Sequence, residues 1–566
     1  MSLLLVTLIA ISILLLGYHF YGNFLSRVFD LKKETVTPAC KYNDGVDFVP
    51  ASRPILIGQH FAAIAAVGPI AGPILAGIAY GWVPSLLWIS LGAVLIGGVH
   101  DFSALIASVR HDSKSVAELI RLYVSPKAYY LFLLFIWCSL LYVIVVFTDL
   151  TAGAFISRPE LGAENFGPGV ATSSFLYLLL ACVMGVCLYK KNWSVTKSTL
   201  IFVPLVFVII FLGQKIPLEL PPLLGSQQKG WDLLILAYCF VASIIPLWIL
   251  LQPRGFLGAF ILYATFIAGV AGTLFGGYPI QYPAFISATE GAVKIPLFPL
   301  LFTTIACGAC SGFHGLVSSG TTSKQLRSEP DAKAVGYGGM LLESFVAIVA
   351  LSTVMILPYK DTMLSSGPDE IYARGLAHFM ALFGISFPAA VTFGKLAFAT
   401  FIYDTLDVAT RLGRYIFQEL MNIKGKSGAL LATFATLAIP GISILIEVKG
   451  PTGASIPLWK LFWPVFGATN QLLAAFTLLG ITLWMKKEKR RWWVPALPAC
   501  FMFIITLSSI LLIVKPWIYG IFKGEKILHP VGTTAFLLLV LASIILFETL
   551  SKVLNPNNSV GSVNRE

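Results

Sequence analysis

Charge is what this sequence has least of. Only 12% of its 566 residues are Asp, Glu, Lys or Arg, against about 25% in an average soluble domain. With 57% hydrophobic residues, the length does not convert into soluble domains, and most of the chain is expected to lie in a bilayer. Nucleotide and hydrolase signatures are also missing: there is no Walker A, HExxH, GxSxG or dinucleotide-binding glycine pattern, which argues against ATP-driven pumping and against an enzyme. The eight cysteines fall mostly within apolar runs and imply no disulfide framework. Cys307-x-x-Cys310 has no second CxxC and reads as a pair of small packing residues, so neither a metal nor a cofactor is expected. Residues 2–25 lack the basic start and small-residue cleavage site of a signal peptide and read as a retained first helix.

What is present is a series of apolar runs, each near the ~20 residues that a spanning helix needs. Fifteen occur, at 2–25, 55–80, 83–109, 128–156, 170–189, 198–214, 231–251, 255–277, 296–320, 334–357, 387–410, 428–447, 460–485, 493–514 and 530–551. A stretch around 376–386, ahead of Pro388, reads as an interfacial or re-entrant helix. The net charge of +12 does not point to nucleic acid, because the basic residues segregate with the loops. If the loop holding Arg27, Lys32, Lys33, Lys41 and Arg53 is cytoplasmic, alternate segments collect 27 Lys/Arg inside and 11 outside, with Lys395 within a span. The expected topology is N-terminus out and C-terminus in.

The run 55–80, ILIGQHFAAIAAVGPIAGPILAGIAY, carries His60 and two Gly-Pro pairs, Gly68-Pro69 and Gly72-Pro73. Proline removes a backbone donor and clashes with the preceding turn, and broken backbone at membrane depth survives only inside protein or beside a water-filled cavity. In transporters such breaks expose helix-terminal dipoles to a substrate or ion. Five helices later, 236–253 is interrupted by Pro246. An odd number of helices per unit inverts the second unit, so the spacing predicts two inverted units at 55–215 and 231–420. Outside them lie an N-terminal helix and loop (1–54), additional C-terminal helices (427–552) and a cytoplasmic tail (553–566).

Ionisable residues at membrane depth are functional hypotheses by default. His60 suits proton shuttling or a substrate hydrogen bond, against a plain helix-packing bond. His100-Asp101 is an adjacent pair whose members point in different directions on a helix, so each needs its own partner. In CGACSGFHGLVSSGTTSK (307–324), His314 sits among Ser311, Ser318, Ser319, Thr321 and Thr322, which suit polar substrate groups or hard cations, or a Gly/Ser packing face. Glu343 stands alone in an apolar helix. Asp404 has no obvious nearby cation and reads as a proton carrier, whereas Arg411 reads as part of a structural salt-bridge network. Asn470-Gln471 read as helix-to-helix glue. The substrate-binding candidates are thus His60, Gly68, Pro69, Gly72, Pro246, Ser311 and His314. The ion-coupling candidates are His100, Asp101, Glu343, Asp404, Ser318 and Thr321.

Several segments resemble the carbon starvation protein A (CstA) family: YNDGVDFVPASRPILIGQHFAAIAAVGPIAGPILA (42–76), GGVHDFSALIASVRHDSKS (97–115), SGFHGLVSSGTTSKQL (311–326), GYGGMLLESFVAI (336–348), YDTLDVATRLGRY (403–415) and LFWPVFGATNQLLAA (461–475). The resemblance implies a multi-pass secondary transporter of the bacterial or archaeal cytoplasmic (inner) membrane. Family members are linked to peptide uptake in carbon starvation, and some to proton-coupled pyruvate uptake. It also implies an all-α, LeuT-like fold of the amino acid–polyamine–organocation type, with five-plus-five inverted repeats and extra helices. Gln59 stands where the family pattern has a second histidine before His60. The expected function is proton-coupled peptide import, with pyruvate–proton symport as the alternative. The expected partners are a small-molecule substrate, the proton as coupling ion, and the bilayer. A membrane nutrient sensor is the alternative of another class, disfavoured by cytoplasmic loops too short to hold an output domain.

Overall fold

The computed structural model describes residues 2–44, 48–157, 165–286, 296–446, 456–523 and 530–554. The expected tail beyond residue 554 lies outside the described residues. Among these residues the fold is helical with no β-strand. Helix α1 (Leu3–Val28) precedes a segment in two pieces, α2 (Arg53–Ile64) and α3 (Gly68–Tyr80), bent by 50° at their junction. Next come α4 (Trp82–Val109), the short α5 (Val116–Tyr123), α6 (Pro126–Phe155), α7 (Gly167–Tyr189), α8 (Val195–Lys215), α9 (Gln227–Ile244) and α10 (Leu251–Phe275). A second interrupted segment consists of α11 (Leu297–Thr304) and α12 (Gly312–Val317), the latter running into a π-helical turn over Ser318–Thr322. The remainder is α13 (Glu329–Met355), the short α14 (Pro368–Met380), α15 (Phe387–Leu420), α16 (Gly425–Leu445), α17 (Leu458–Lys487), α18 (Trp493–Phe522) and α19 (Pro530–Leu554).

Eleven of these helices are long and apolar enough to cross a membrane, or twelve with the bent pair counted as one span. The expected spans outside that set correspond to α9, to the interrupted α11–α12, and to α15, which carries Lys395, Asp404, Asp407, Arg411 and Arg414. The stretch before Pro388 holds α14 and a turn at Gly384 (φ 70°), a left-handed conformation that glycine adopts without steric cost. Lys395 of α15 pairs with Glu370 of α14, which accounts for a lysine within a span. Local starts follow the usual capping chemistry: the Ser115 and Ser125 hydroxyls accept from the amides of Glu118 (3.3 Å) and Ala128 (3.1 Å).

Two expectations about the breaks need correction. The first break is a single one: α2 ends at Ala65 (ψ 60°), and Gly68-Pro69 opens α3, where a proline in the first turn forfeits no hydrogen bond. Gly72-Pro73 lies inside α3 without interrupting it. Pro246 breaks no span either. It lies in the turn between α9 and α10, because α9 has already ended at Ile244. Arg411 donates to the carbonyls of Ala242 (2.6 Å) and Ile245 (3.0 Å), and Arg414 to that of Ser243 (2.5 Å), satisfying the orphan acceptors of that helix end. The second interruption instead spans residues 305–311, where there is no proline.

The packing is paired. Helix α3 lies along α13, and α12 with its π-helical turn lies along α4. Helix α6 packs on α9 and α17, and α15 packs on α16 and α10. The short α5 bridges α6 and α17, while the short α14 bridges α15 and α10. Helices α7 and α8 form a hairpin packed against α10 and α15.

Candidate functional site

The two interruptions meet. A Cβ on Gly72 would lie 2.7 Å from the carbonyl oxygen of Thr304, and one on Gly68 would collide with the Cys307 sulfur. Only glycine permits this approach of α3 to the end of α11. Asn470 of α17 secures the second interruption from the other side. Its Oδ1 accepts from the Phe313 amide (3.0 Å), and its Nδ2 donates to the Ser311 hydroxyl (3.0 Å) and Cys307 Sγ (3.3 Å). Gln471 Nε2 donates to the Phe302 carbonyl (2.8 Å). Both amides therefore tie helices together, and Asn470 does so at the break itself.

Beside the breaks lies a chain of ionisable groups drawn from α4, α12 and α13, all at most 1% exposed. Asp101 faces His100 Nδ1 through Oδ1 (2.7 Å) and His314 Nδ1 through Oδ2 (2.8 Å), which corrects the expectation that His100 and Asp101 each need a separate partner: the short aspartate side chain bends back to the neighbouring ring. His314 Nε2 is 3.2 Å from Glu343 Oε2, within ion-pair distance although not aligned as a hydrogen bond. Asp101 can accept from both rings only if each carries its proton on Nδ1. A single proton shared between His314 Nε2 and Glu343 can sit either on the ring or on the carboxyl. In both forms the group carries a single net negative charge, costly in a buried site. His60 is separate by one contact: its Nδ1 meets Thr322 Oγ1 (2.9 Å), and its buried Nε2 has no hydrogen-bond partner among the described residues.

A small chamber of about 40 Å³ sits where the breaks meet α6, α15 and α17, lined by Ala66, Gly68, Cys307, Phe313, His314 and Asn470 among others. That is room for on the order of three waters. A much larger cavity of about 830 Å³ runs from Pro54, Tyr189, Val195 and Leu251, at helix ends on one side of the molecule, up to Ala65 and Ala66 at the first break. Ala66, Phe313 and Thr405 line both spaces.

Of the residues singled out from sequence, His60, Gly68, Pro69, Gly72, His100, Asp101, Ser311, His314, Ser318 and Glu343 gather in and around this centre. Ser318 Oγ is buried without a partner among the described residues, whereas Thr321 bonds back to the Val317 carbonyl (3.0 Å). Pro246 is remote, in the α9–α10 turn. Asp404 lies on the wall of the large cavity, paired with Arg254 Nη2 (2.5 Å). That partner was not legible: Arg254 sits 150 residues away and counts as a loop cation in the sequence. Asn470's grip on the break and the shared position of Phe313 were also missed. Only the small-residue run CGACSG pointed toward the second interruption.

A family model for carbon starvation protein CstA matches residues 2–365 and 359–509. The chain belongs to the CstA family. The peptide transporter CstA of Campylobacter jejuni is 32% identical, over 93% of this chain and 82% of the relative. The pyruvate/proton symporter BtsT of Escherichia coli is 30% identical, over 94% and 86%. The peptide transporter CstA of Bacillus subtilis is 28% identical, over 98% and 97%. Among solved structures, a mutant of the manganese transporter of Eremococcus coleocola aligns with 91% of this chain and 99% of its own, at a TM-score of 0.45 and 12% identity. That likeness says nothing about cargo. With transporters among its full-length relatives, this CstA-family chain is a multi-pass membrane transporter.

Proposed function

We propose that this chain imports peptides across the cytoplasmic membrane under carbon starvation, with one proton carried inward alongside the substrate. The observation that carries this reading is the buried Asp101–His314–Glu343 chain set against two touching helix breaks. With one proton between His314 and Glu343 the group is anionic; a second proton, giving His314⁺ beside neutral Glu343, balances the Asp101 charge without breaking its hydrogen bonds. Such a site favours a proton-loaded, neutral state for movement through the bilayer. The irregular backbone at Ala65–Val67 and at residues 305–311 marks the place where substrate polar groups would bind.

The reading includes a fifteen-span topology with the N-terminus outside and the C-terminus inside. The large cavity then opens to the cytoplasm, as in an inward-facing importer. It also includes a LeuT-like inverted repeat with boundaries shifted from the spacing estimate. One unit runs α2/α3, α4, α6, α9, α10 and the other α11/α12, α13, α15, α16, α17, with α7–α8 inserted in the first. The support is the matched neighbour set: α3 on α13 mirrors α12 on α4, α6 on α17 mirrors α15 on α10, and α5 mirrors α14.

Pyruvate–proton symport is the second reading, favoured by the E. coli symporter's 30% identity over 94% of this chain. Liposomes holding the purified protein separate the two. With the outside more acidic, labelled dialanine is expected to accumulate and labelled pyruvate not. Accumulation of neither, or accumulation that survives collapse of the proton gradient, overturns proton-driven import.

A further inference from the structure

Among the described residues, the wall of the 830 Å³ cavity holds two charged side chains, Arg254 and Asp404. They belong to a tight group. Arg254 reaches Asp404 Oδ1 through Nη2 (2.5 Å), and Asp407 Oδ2 (2.6 Å) and the Tyr238 hydroxyl (2.7 Å) through Nη1. Tyr238 in turn donates to Asp407 Oδ2 (2.9 Å), and Tyr177 donates to the Arg254 carbonyl (2.8 Å), fixing the arginine's backbone. One guanidinium thus serves two carboxylates directly; Arg411 lies close enough to act on Asp407 while bonding the carbonyls of Ala242 and Ile245, so Asp404 has the weaker claim on a cation.

Exposure separates the two carboxylates. The Asp407 and Arg254 side chains are 0% and 1% exposed, while that of Asp404 is 29% exposed. Its Oδ1 is committed to Arg254, and its Oδ2 makes no hydrogen bond among the described residues. Gly258 of α10 leaves Oδ2 uncrowded: a Cβ there would lie 3.0 Å away. The cavity lining also includes Phe256, Phe260, Tyr263 and Phe401, aromatic side chains of the kind that attract organic cations. An ammonium group completes this arrangement, and a lone carboxylate is repelled by it.

We propose that Asp404, positioned by Arg254, docks the ammonium group of the substrate, so that the cavity takes zwitterionic peptides in preference to simple 2-oxo acids. This rests on the importer reading and names its substrate class. Asp404 is then a docking group, distinct from the His314 chain that carries the proton.

Binding of L-Ala-L-Ala, N-acetyl-L-Ala-L-Ala and pyruvate to the purified full-length protein tests it, since acetylation removes the ammonium and keeps the carboxylate. Wild type is expected to bind the free dipeptide at least about tenfold more tightly than the acetylated one, the worth of one charge-assisted hydrogen bond. Asp404→Asn is expected to abolish that preference, weakening the free dipeptide and relieving the repulsion of N-acetyl-L-Ala-L-Ala. Gly258→Ala, which keeps the charge but crowds Oδ2, should weaken dipeptide binding in the same direction, so a folding defect in one variant does not decide the matter. Equal wild-type affinity for the two dipeptides, or an undiminished preference in Asp404→Asn, overturns the proposal. If liposomes accumulate dialanine and the Asp404→Asn protein does so equally well, only the ammonium dock falls. If wild type accumulates pyruvate and no dipeptide, the peptide reading falls and the dock with it.

Discussion

Glu343→Gln is the perturbation that isolates the coupling chemistry. The side chain is fully buried, and glutamine has the same shape, so packing is kept. The glutamine amide offers its oxygen to the Nε2–H of His314⁺, as the neutral carboxyl does in the proton-loaded form, but it can neither lose nor gain a proton. The variant therefore imitates the proton-loaded form permanently. The magnitude follows from the gradient: one proton per substrate and one pH unit allow at most about tenfold accumulation of a neutral zwitterion. Liposomes at internal pH 7.5 and external pH 6.5, with the membrane potential clamped at zero, read this directly. Wild type should approach a tenfold inside-to-outside ratio of labelled dialanine, and Glu343→Gln should stop near unity. Counterflow needs no net proton movement, so it should persist in the variant within a few-fold of wild type. A variant that accumulates dialanine as wild type does removes Glu343 from the coupling site.

Three further substitutions probe the scaffold. Asn470→Ala strands the Phe313 amide and releases Ser311 and Cys307, which should cost about 1–3 kcal/mol and lower the thermal midpoint of the detergent-purified protein; an unchanged midpoint refutes its role at the break. Gly72→Val puts a side chain against the Thr304 carbonyl and forces α3 from α11, so the folded yield on size-exclusion chromatography should fall, and wild-type yield and uptake would show that the close contact is dispensable. Arg254→Gln leaves the buried Asp407 and the cavity-lining Asp404 without their shared cation, a loss of about 3–5 kcal/mol, most of it from Asp407. Adding Asp407→Asn should restore much of the midpoint, and no rescue would mean that the arginine acts other than by charge.

The helical segments were legible because each apolar run had to be long enough for a bilayer, and the loops carry their sign in Lys and Arg. The chemistry-bearing residues were legible for the opposite reason: His60, Asp101, His314 and Glu343 stand out as polar groups where apolar ones are expected. Their grouping was not readable, since Asp101 and His314 are 213 residues apart and meet only through the packing of α4 with α12. Pro246 misled because proline ends helices as readily as it breaks them, and nothing local says which. The true second break has no proline; it is held open by Gly308, Gly312 and a partner amide on α17, a tertiary device. Arg254 was invisible as a partner because its position near a helix start reads as a loop cation.

On the proposed reading, in which the Asp101–His314–Glu343 chain carries the proton, transport also has an electrical consequence. A dipeptide zwitterion is neutral, so each turnover with one proton moves one positive charge inward. An inside-negative potential should drive uptake even at equal pH, by about 2.3 kcal/mol per 100 mV. A pyruvate anion travelling with the same proton moves no charge and would ignore the voltage. A potassium diffusion potential set with valinomycin, at matched pH, therefore reads the cargo from the current: inward charge movement with dialanine and electrical silence with pyruvate.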